Sequence, residues 1–493
     1  LVKMKDRIAR SVFWMVWSRG GVQILSFVGT LMVARLLSPR DYGLMALAGI
    51  WIGSIELLAE MGLGAAIVQF RDLDDRELNA CFWVTMGVAT SAYGALFLAA
   101  PAIAAWFQAP ALAEVLRVAG LTLPLVAIRV VPDGLLRKRL ALDKISQAEI
   151  VAGVITIPVT VGLAWAGAGV WALVAGALSL PLVQTLVTFC FAHWRPGLVV
   201  TGPRIREILR YSAASLGARV SWAVFQQTDA LVLGKVAGES VLGLYSMAMR
   251  LATLPVSKVS VVANQLAMPI MAELQADRDA MRASFLRGLR LVACLTVPLC
   301  VGVALVAGDL VPVVLTEKWL PAVPVLQVLC VFALIRSVDT LFPPVLFARY
   351  RVAYLFWWTM ALLLVMPLAF WVGATWSGAL GASLAWVVVY PLAMAPMARQ
   401  ALRELELSFK GLWAEVRAVL DAALLMALAV IAVHWALPGA DAATRLVRLV
   451  LASGAGAVVY GLGIFWRGGQ VFREMAEVVG WIFRRSHPLP TSK

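Results

Sequence analysis

The chain has little charge, little histidine and no long polar stretch. Asp, Glu, Lys and Arg together make up only 14% of its 493 residues. The longest polar gap between apolar runs is under about thirty residues, short of the ~50 that an independent domain requires. A soluble globular enzyme is excluded on these grounds. The three histidines, His193, His434 and His487, lie far apart, and no HExxH or other metal spacing is present. Neither a P-loop nor a GxSxG elbow occurs, so the chain does not hydrolyse nucleotide itself. Asp72-Leu-Asp74 and Asp277-Arg-Asp279 match the DxD pattern of nucleotide-sugar glycosyltransferases, but each sits in a short basic loop and reads as solvated charge. The five cysteines, Cys81, Cys190, Cys294, Cys300 and Cys330, all fall in apolar stretches without a CxxC pair. They read as small buried hydrophobes rather than disulfides or metal ligands. The expectation is a protein that is not an enzyme and holds no cofactor.

What the chain does have is apolar sequence: 62% of its residues are hydrophobic, well outside the range of soluble domains. Runs of about 20 apolar residues, each long enough to cross the hydrocarbon core of a bilayer, recur from end to end. They predict fourteen transmembrane helices, near 11–37, 43–68, 79–102, 111–134, 146–166, 170–194, 211–236, 241–271, 288–308, 322–346, 352–374, 378–398, 415–437 and 446–466. The first does not read as a cleaved signal peptide, because it is long, lacks a small-residue cleavage site and carries Arg19 and Arg35. The net charge of +14 could suggest nucleic acid, but its distribution excludes that partner. Most Lys and Arg fall in alternate short loops, the positive-inside pattern, which places both termini in the cytoplasm. Segments 272–287, 400–414 and 468–485 read as short amphipathic helices at the membrane interface, the last ending in Trp481-Ile-Phe-Arg-Arg.

The chain also repeats itself. Residues 10–44 and 210–244 align at a constant offset of 200: Arg10 with Arg210, Arg19 with Arg219, Arg35 with Lys235, and Gly43-Leu44 with Gly243-Leu244. Leu116 to Arg129 echoes Leu326 to Asp339 more loosely, and Trp165-Ala-Gly echoes Trp376-Ser-Gly. Six helices per half is an even number, so the halves share orientation and a pseudo-two-fold axis along the membrane normal is expected. The predicted organisation is an all-α polytopic protein of two six-helix lobes: 1–200 (helices 1–6) and 201–400 (helices 7–12). Two extra helices follow in 401–467, and then a cytoplasmic amphipathic tail, 468–493.

Polar residues inside such helices are the candidates for function. Arg19, Gln23, Ser26 and Thr30 form one stripe on helix 1; Ser212, Ser215, Arg219 and Gln226 form a similar one on helix 7, with Asp229 at its edge. An Arg at the bilayer centre costs about 2.5–3.5 kcal/mol on insertion scales, so both stripes should face protein or a wet cavity. Arg117, Arg129, Arg250, Lys258 and Arg336 add further cations at similar depth, against Glu56, Glu60, Asp229, Asp133 and Asp339. A surplus of buried positive charge calls for an anionic ligand, and guanidinium forks suit phosphate oxygens. The bland readings are that Arg19 pairs with Glu56 or Glu60 to lock helices 1 and 2, and that Arg129, Arg250 and Arg336 snorkel to headgroups. Glu56 and Glu60 share a face at i, i+4, which suits proton or Na⁺ coupling as well as it suits counter-ions for nearby Arg.

Two stretches carry a resemblance. One runs from Gln227-Thr-Asp229-Ala-Leu-Val-Leu-Gly-Lys-Val-Ala-Gly into Leu242-Gly-Leu-Tyr245-Ser-Met-Ala-Met-Arg250-Leu-Ala-Thr-Leu-Pro255; the other is Leu31-Met-Val-Ala-Arg35-Leu-Leu-Ser-Pro-Arg-Asp41-Tyr-Gly43. Both resemble the polysaccharide transporter family, bacterial flippases of lipid-linked oligosaccharides within the superfamily that includes multidrug and toxin extruders. The resemblance implies two lobes around a central cavity with alternating access, in the bacterial inner membrane. The implied cargo is an undecaprenyl-pyrophosphate-linked oligosaccharide, moved from the cytoplasmic to the periplasmic leaflet for exopolysaccharide, capsule or O-antigen synthesis. Helices 1 and 7 line the cavity in relatives. The expected substrate-binding set is then Arg19, Gln23, Arg219, Gln226, Arg129, Arg250, Lys258 and Arg336, with Glu56, Glu60 and Asp229 in ion coupling or gating. The expected partners are the lipid-linked cargo, membrane lipids and other polysaccharide-assembly proteins. A peptidoglycan-precursor flippase or a drug–cation antiporter is the runner-up, although an antiporter would favour surplus carboxylate. A membrane polymerase or acyltransferase would need a long external loop with paired catalytic residues, which this chain does not have.

Overall fold

The computed structural model describes residues 26–60, 63–70, 73–198, 205–439, 441–469 and 472–474. Among these residues there is no strand. The helices are α1 (Ser26–Leu36), α2 (Pro39–Glu60), α3 (Leu63–Gln69), α4 (Asp75–Phe107), α5 (Ala111–Ala119), α6 (Thr122–Lys138), α7 (Leu142–Trp165) and α8 (Val170–Ala192). They continue with α9 (Ile205–Glu273), α10 (Arg278–Val314), α11 (Val323–Asp339), α12 (Phe342–Ala348), α13 (Val352–Glu404), α14 (Phe409–Ala436) and α15 (Ala442–Arg467). Eleven stretches among the described residues are long and apolar enough to cross a membrane. Fourteen crossings is a finer number than that: two of the eleven overlap two predicted spans each, which makes thirteen, and most of the first predicted span, 11–37, lies outside the described residues. α9 holds a break at Gly238 (φ 81°, ψ 174°) and α13 one at Ser377 and Gly378 (φ 56°, ψ −129°). Each glycine takes a backbone conformation that an L side chain resists, which lets the chain leave one helix and start the next without a loop.

The helices begin where short polar side chains replace the missing intrahelical partners of the first turn. Asp74 opens α4 with a capping box: its carboxylate accepts the Glu77 N–H at 2.7 Å, and the Glu77 carboxylate accepts the Asp74 N–H at 3.1 Å. Asp277 accepts the Ala280 N–H to open α10, and Asp441 accepts that of Thr444 to open α15. The Thr444 N–H holds the Asp441 carboxyl below its ordinary range. Both DxD sequences therefore contain a helix cap, a sharper role than solvated charge.

By contacts the chain divides into two units, Leu1–Ser246 and Met247–Lys493. In the first, Leu63, Ile67, Leu78, Phe82, Val131 and Trp194 form a cluster that joins α3, α4 and α6. In the second, Met281, Phe285, Leu289, Phe342, Val345 and Met397 join α10, α12 and α13. A further cluster of Cys294, Val419, Ala422, Met426 and Ile464 fixes α14 and α15 to α10. This corrects one detail of the sequence reading. The segment 272–287 is not a separate interfacial helix; most of it forms the first turns of α10, which runs unbroken to Val314. The spacing of Met281, Phe285 and Leu289 is that of an amphipathic face in either case, and here α12 and α13 cover it. Likewise 400–414 is not a helix of its own: it spans the end of α13, a turn at 405–408 with Glu406 at φ 55°, and the first turns of α14. Most of the tail 468–485 lies outside the described residues.

Four cysteines are buried as expected, whereas Cys190 is exposed on α8. The apolar residues left uncovered suit lipid rather than water: Trp435 and Trp466, near the ends of α14 and α15, are 84% and 87% exposed. Indoles at helix ends are what the membrane–water interface favours.

Candidate functional site: polar ties inside the two units

The repeat has a direct structural expression within the first unit. A Cβ on Gly43 would lie 1.6 Å from the Glu239 carbonyl oxygen, and a Cβ on Gly243 would lie 1.8 Å from that of Pro39. Pro39 and Glu239, like Gly43 and Gly243, are 200 residues apart. The two matched turns thus meet reciprocally, each glycine against the other turn's backbone, which is the signature of a local two-fold. Arg40 closes the contact on Glu239 at 3.0 Å. Only hydrogen fits at either position, so the echo Gly43-Leu44 and Gly243-Leu244 has a packing cause.

Around this contact α9 carries buried polar groups. Asp229 accepts the Tyr245 hydroxyl at 2.6 Å on one oxygen and the Ala230 N–H at 2.7 Å on the other. Sixteen residues separate Asp229 from Tyr245; the break at Gly238 brings them together. Lys235, the repeat partner of Arg35, donates to the Trp106 carbonyl, and its ammonium lies 5.3 Å from the centre of the Trp106 ring. Arg129 on α6 donates to the amide oxygen of Gln184 on α8, and one residue further Thr185 donates to the Leu125 carbonyl at 3.1 Å.

The second unit holds a matching arrangement of opposite sign. Asp339, at the end of α11, accepts the Tyr390 hydroxyl of α13 at 2.6 Å; its other oxygen is buried with no hydrogen-bond partner among the described residues. Arg336, one turn earlier, interacts electrostatically with both the tyrosine and Asp339. Phe332 and Trp386, with ring centres 4.3 Å apart, wall the cluster, and Trp386 sits 5.3 Å from Tyr390. Thr296 and Ser337 share a buried hydrogen bond of 3.1 Å between α10 and α11.

The predicted residues fall unevenly across this picture. Arg19 and Gln23 lie outside the described residues. Arg219 and Lys258 stand on α9 and Glu60 ends α2, but their side chains are likewise outside the description. Glu56 is half-buried on α2 and partnered; Gln226 and Arg250 are exposed on α9 and partnered. The structure gathers Asp229 with Tyr245, Arg129 with Gln184, and Arg336 with Asp339 and Tyr390. Among the described residues no group of three or more His, Cys, Asp or Glu is placed to hold a metal.

Sequence reasoning missed two ion clusters that bind α10 to α14, to α15 and to Glu474 just beyond α15. Arg290, buried, donates to Glu415 at 2.6 Å and through two nitrogens to Glu474. At the other end of α10, Asp309 receives both prongs of Arg448 and stands 3.1 Å from His434 Nε2. Their signal was available: Arg290 and Asp309 are the charges at opposite ends of one apolar run, and His434 ends another. A charge so placed is expected to find a partner.

The backbone arrangement is known from a solved structure. The lipid II flippase MurJ, in an inward closed conformation, superposes with a TM-score of 0.72, covering 92% of this chain and 99% of that one at 11% identity. Such a likeness speaks for the fold alone. Sequence relatives narrow the field. The succinoglycan biosynthesis transport protein ExoT of Rhizobium meliloti (strain 1021) is 26% identical over 96% of this chain and 95% of its own. The lipopolysaccharide biosynthesis protein WzxC of Escherichia coli (strain K12) is 27% identical over 74% of this chain and 75% of its own. A family model described as polysaccharide biosynthesis protein matches residues 32–324, more than half of the chain. That match contains the Gly43–Gly243 contact and the Asp229–Tyr245 and Arg129–Gln184 ties. A polytopic helical protein built on this repeat and matched over this span belongs to the polysaccharide biosynthesis protein family.

Proposed function

We propose that the protein is a flippase that moves an undecaprenyl-pyrophosphate-linked oligosaccharide from the cytoplasmic to the periplasmic leaflet of a bacterial inner membrane. The observation that carries this reading is the likeness to ExoT, a succinoglycan transport protein, over nearly the whole of both chains. The chain crosses the membrane fourteen times in this reading, with both termini cytoplasmic, and works by alternating access without catalysing a reaction. Other polysaccharide-assembly proteins act beside it.

Arg19 and Arg219 head the set that binds the diphosphate, with Gln23 and Gln226 in the same stripes and Arg250 and Lys258 further along α9. Arg129 and Arg336 already hold Gln184 and the Tyr390–Asp339 pair, so phosphate oxygens would have to compete for them. Their part is to open and re-form these ties as cargo passes. Glu56, Glu60 and Asp229 serve ion coupling or gating, through H⁺ or Na⁺.

Complementation tests the proposal. The chromosomal copy is deleted, and wild type, Arg19→Glu or Arg219→Glu is supplied back. Wild type should restore surface polysaccharide; each variant should insert normally yet leave undecaprenyl-linked intermediates on the cytoplasmic leaflet. Normal polysaccharide in the deletion strain, with altered tolerance to cationic drugs, would instead favour an antiporter.

A further inference from the structure

The two parts of α13, before and after the break at Ser377–Gly378, flank a groove of about 330 Å³ on the surface of the second unit. Tyr354, Trp357 and Trp358 line it from the first part, and Ala393 and Pro396 from the second. The groove is fixed rather than fortuitous. The Trp358 indole N–H donates to the Ala393 carbonyl at 2.8 Å, so one ring ties the two helices together and sets their spacing. Pro396 has no N–H to give the Leu392 carbonyl, which loosens the helix at this point. Trp357 is 70% exposed at the rim.

At one end the groove runs into charge. Arg349 and Arg351 both bind Glu404, at 3.3 and 2.8 Å, and Gln400 donates to the same carboxylate. That single anion is thereby fully engaged. Arg399 and Arg403, further along the second part, are exposed, and their side chains hold no hydrogen bond or ion pair among the described residues. Arg403 lies seven residues beyond Pro396, within about 20° of it around the helix and ~10 Å along the axis. An apolar, ring-lined slot therefore opens beneath two unengaged guanidiniums; the carboxylates nearest them in the chain, Glu404 and Glu406, are already taken by Arg349 and Arg351 and, at 2.7 Å, by Arg278.

We propose that this is a binding site for an anionic phospholipid, with one acyl chain in the groove and the phosphate on Arg399 and Arg403. Apolar chain and phosphate are joined in one molecule at the spacing the site presents, and the charge excess selects an anionic headgroup over a zwitterionic one. A cation near a membrane surface favours anionic lipid by about 1 kcal/mol, or roughly five-fold per guanidinium. The bound lipid would brace the charged end of α13. The inference rests only on the chain spanning a membrane, and its test reads no transport.

The full chain is reconstituted in vesicles containing brominated phosphatidylglycerol or brominated phosphatidylcholine, and tryptophan emission is followed. Brominated phosphatidylglycerol should reach half-quenching at a mole fraction about five-fold lower or less. Trp357→Phe should remove much of that sensitive emission, and Arg399→Gln with Arg403→Gln should abolish the lipid preference without unfolding the protein. Other lipid-facing indoles such as Trp435 and Trp466 are quenched by both lipids alike, so the difference between the two lipids is the readout. Equal quenching by both lipids, a preference that survives the double Arg variant, or a preference unchanged by Trp357→Phe would overturn the site. Undecaprenyl phosphate is added as a competitor. Displacement of phosphatidylglycerol at equimolar undecaprenyl phosphate would make the occupant the cargo's carrier lipid and overturn the phospholipid assignment; retention of the quenching supports it.

Discussion

Arg129 in one unit and Asp339 in the other stand at matched positions of the repeat, and each reaches across to the last long helix of its half. Arg129 meets Gln184 on α8; Asp339 meets Tyr390 in the second part of α13. The repeat thus keeps the cross-helix tie but not its sign. A cation bound to a neutral amide can exchange that partner for a phosphate oxygen at modest cost, because hydrogen bonds between membrane helices average about 0.6 kcal/mol. A buried carboxylate with one bare oxygen and an arginine one turn away is a costlier arrangement. The difference is one of cost: the first unit's tie exchanges its partner readily, and the second unit's does not.

The comparison can be broken most sharply at Asp339. Asp339→Ala leaves Arg336 and the Tyr390 hydroxyl without their carboxylate and should lower the stability of the detergent-purified protein by about 3 kcal/mol. Gln184→Ala, which removes only a neutral partner, should cost about 1 kcal/mol in the same thermal unfolding assay. Equal losses would mean that the two ties are equivalent after all.

The matched turns come next. Gly43→Ala and Gly243→Ala each force a methyl against a backbone carbonyl, and overpacking of this kind costs about 1–3 kcal/mol. Because the contact is reciprocal, the two losses should agree within the error of the unfolding measurement. A large loss at one glycine and none at the other would dissolve the local two-fold.

The smallest effect is expected at Tyr390→Phe. The ring keeps its packing against Phe332 and Trp386 and loses one hydrogen bond, about 1 kcal/mol. A shift as large as that of Asp339→Ala would place the whole cluster's energy in the hydroxyl and leave Arg336 without a role.

Much of the architecture was legible from apolar run length alone, because a bilayer admits few alternatives to helices of about 20 residues. The break at Gly238 falls between two predicted spans, and that at Ser377–Gly378 falls at the start of the span predicted over 378–398, for the same reason. Tertiary partners were less legible. Asp229 and Tyr245 meet only because the chain reverses between them, and no periodicity announces a contact made across a reversal. Arg336 was readable as a buried cation, but its engagement with Asp339 and Tyr390 depends on how α11 packs against α13. The segment 272–287 shows the opposite difficulty: an amphipathic face looks the same whether lipid headgroups or neighbouring helices cover it. Asp74 was a near miss, since Asp74 and Glu77 spell a capping box that the DxD match obscured.

On the proposed function, this chain carries a lipid-linked saccharide across the bilayer by means of a cationic pathway. The most direct measurement reconstitutes the purified protein into vesicles with an undecaprenyl-pyrophosphate-linked oligosaccharide in one leaflet. The cargo exposed on the other leaflet is then followed over time with a membrane-impermeant saccharide probe. Wild-type protein should equilibrate the cargo far faster than protein-free vesicles, and Arg219→Glu should fall to the protein-free rate while remaining folded. No acceleration by wild type would contradict the flippase assignment, and undiminished movement by Arg219→Glu would contradict the cationic pathway.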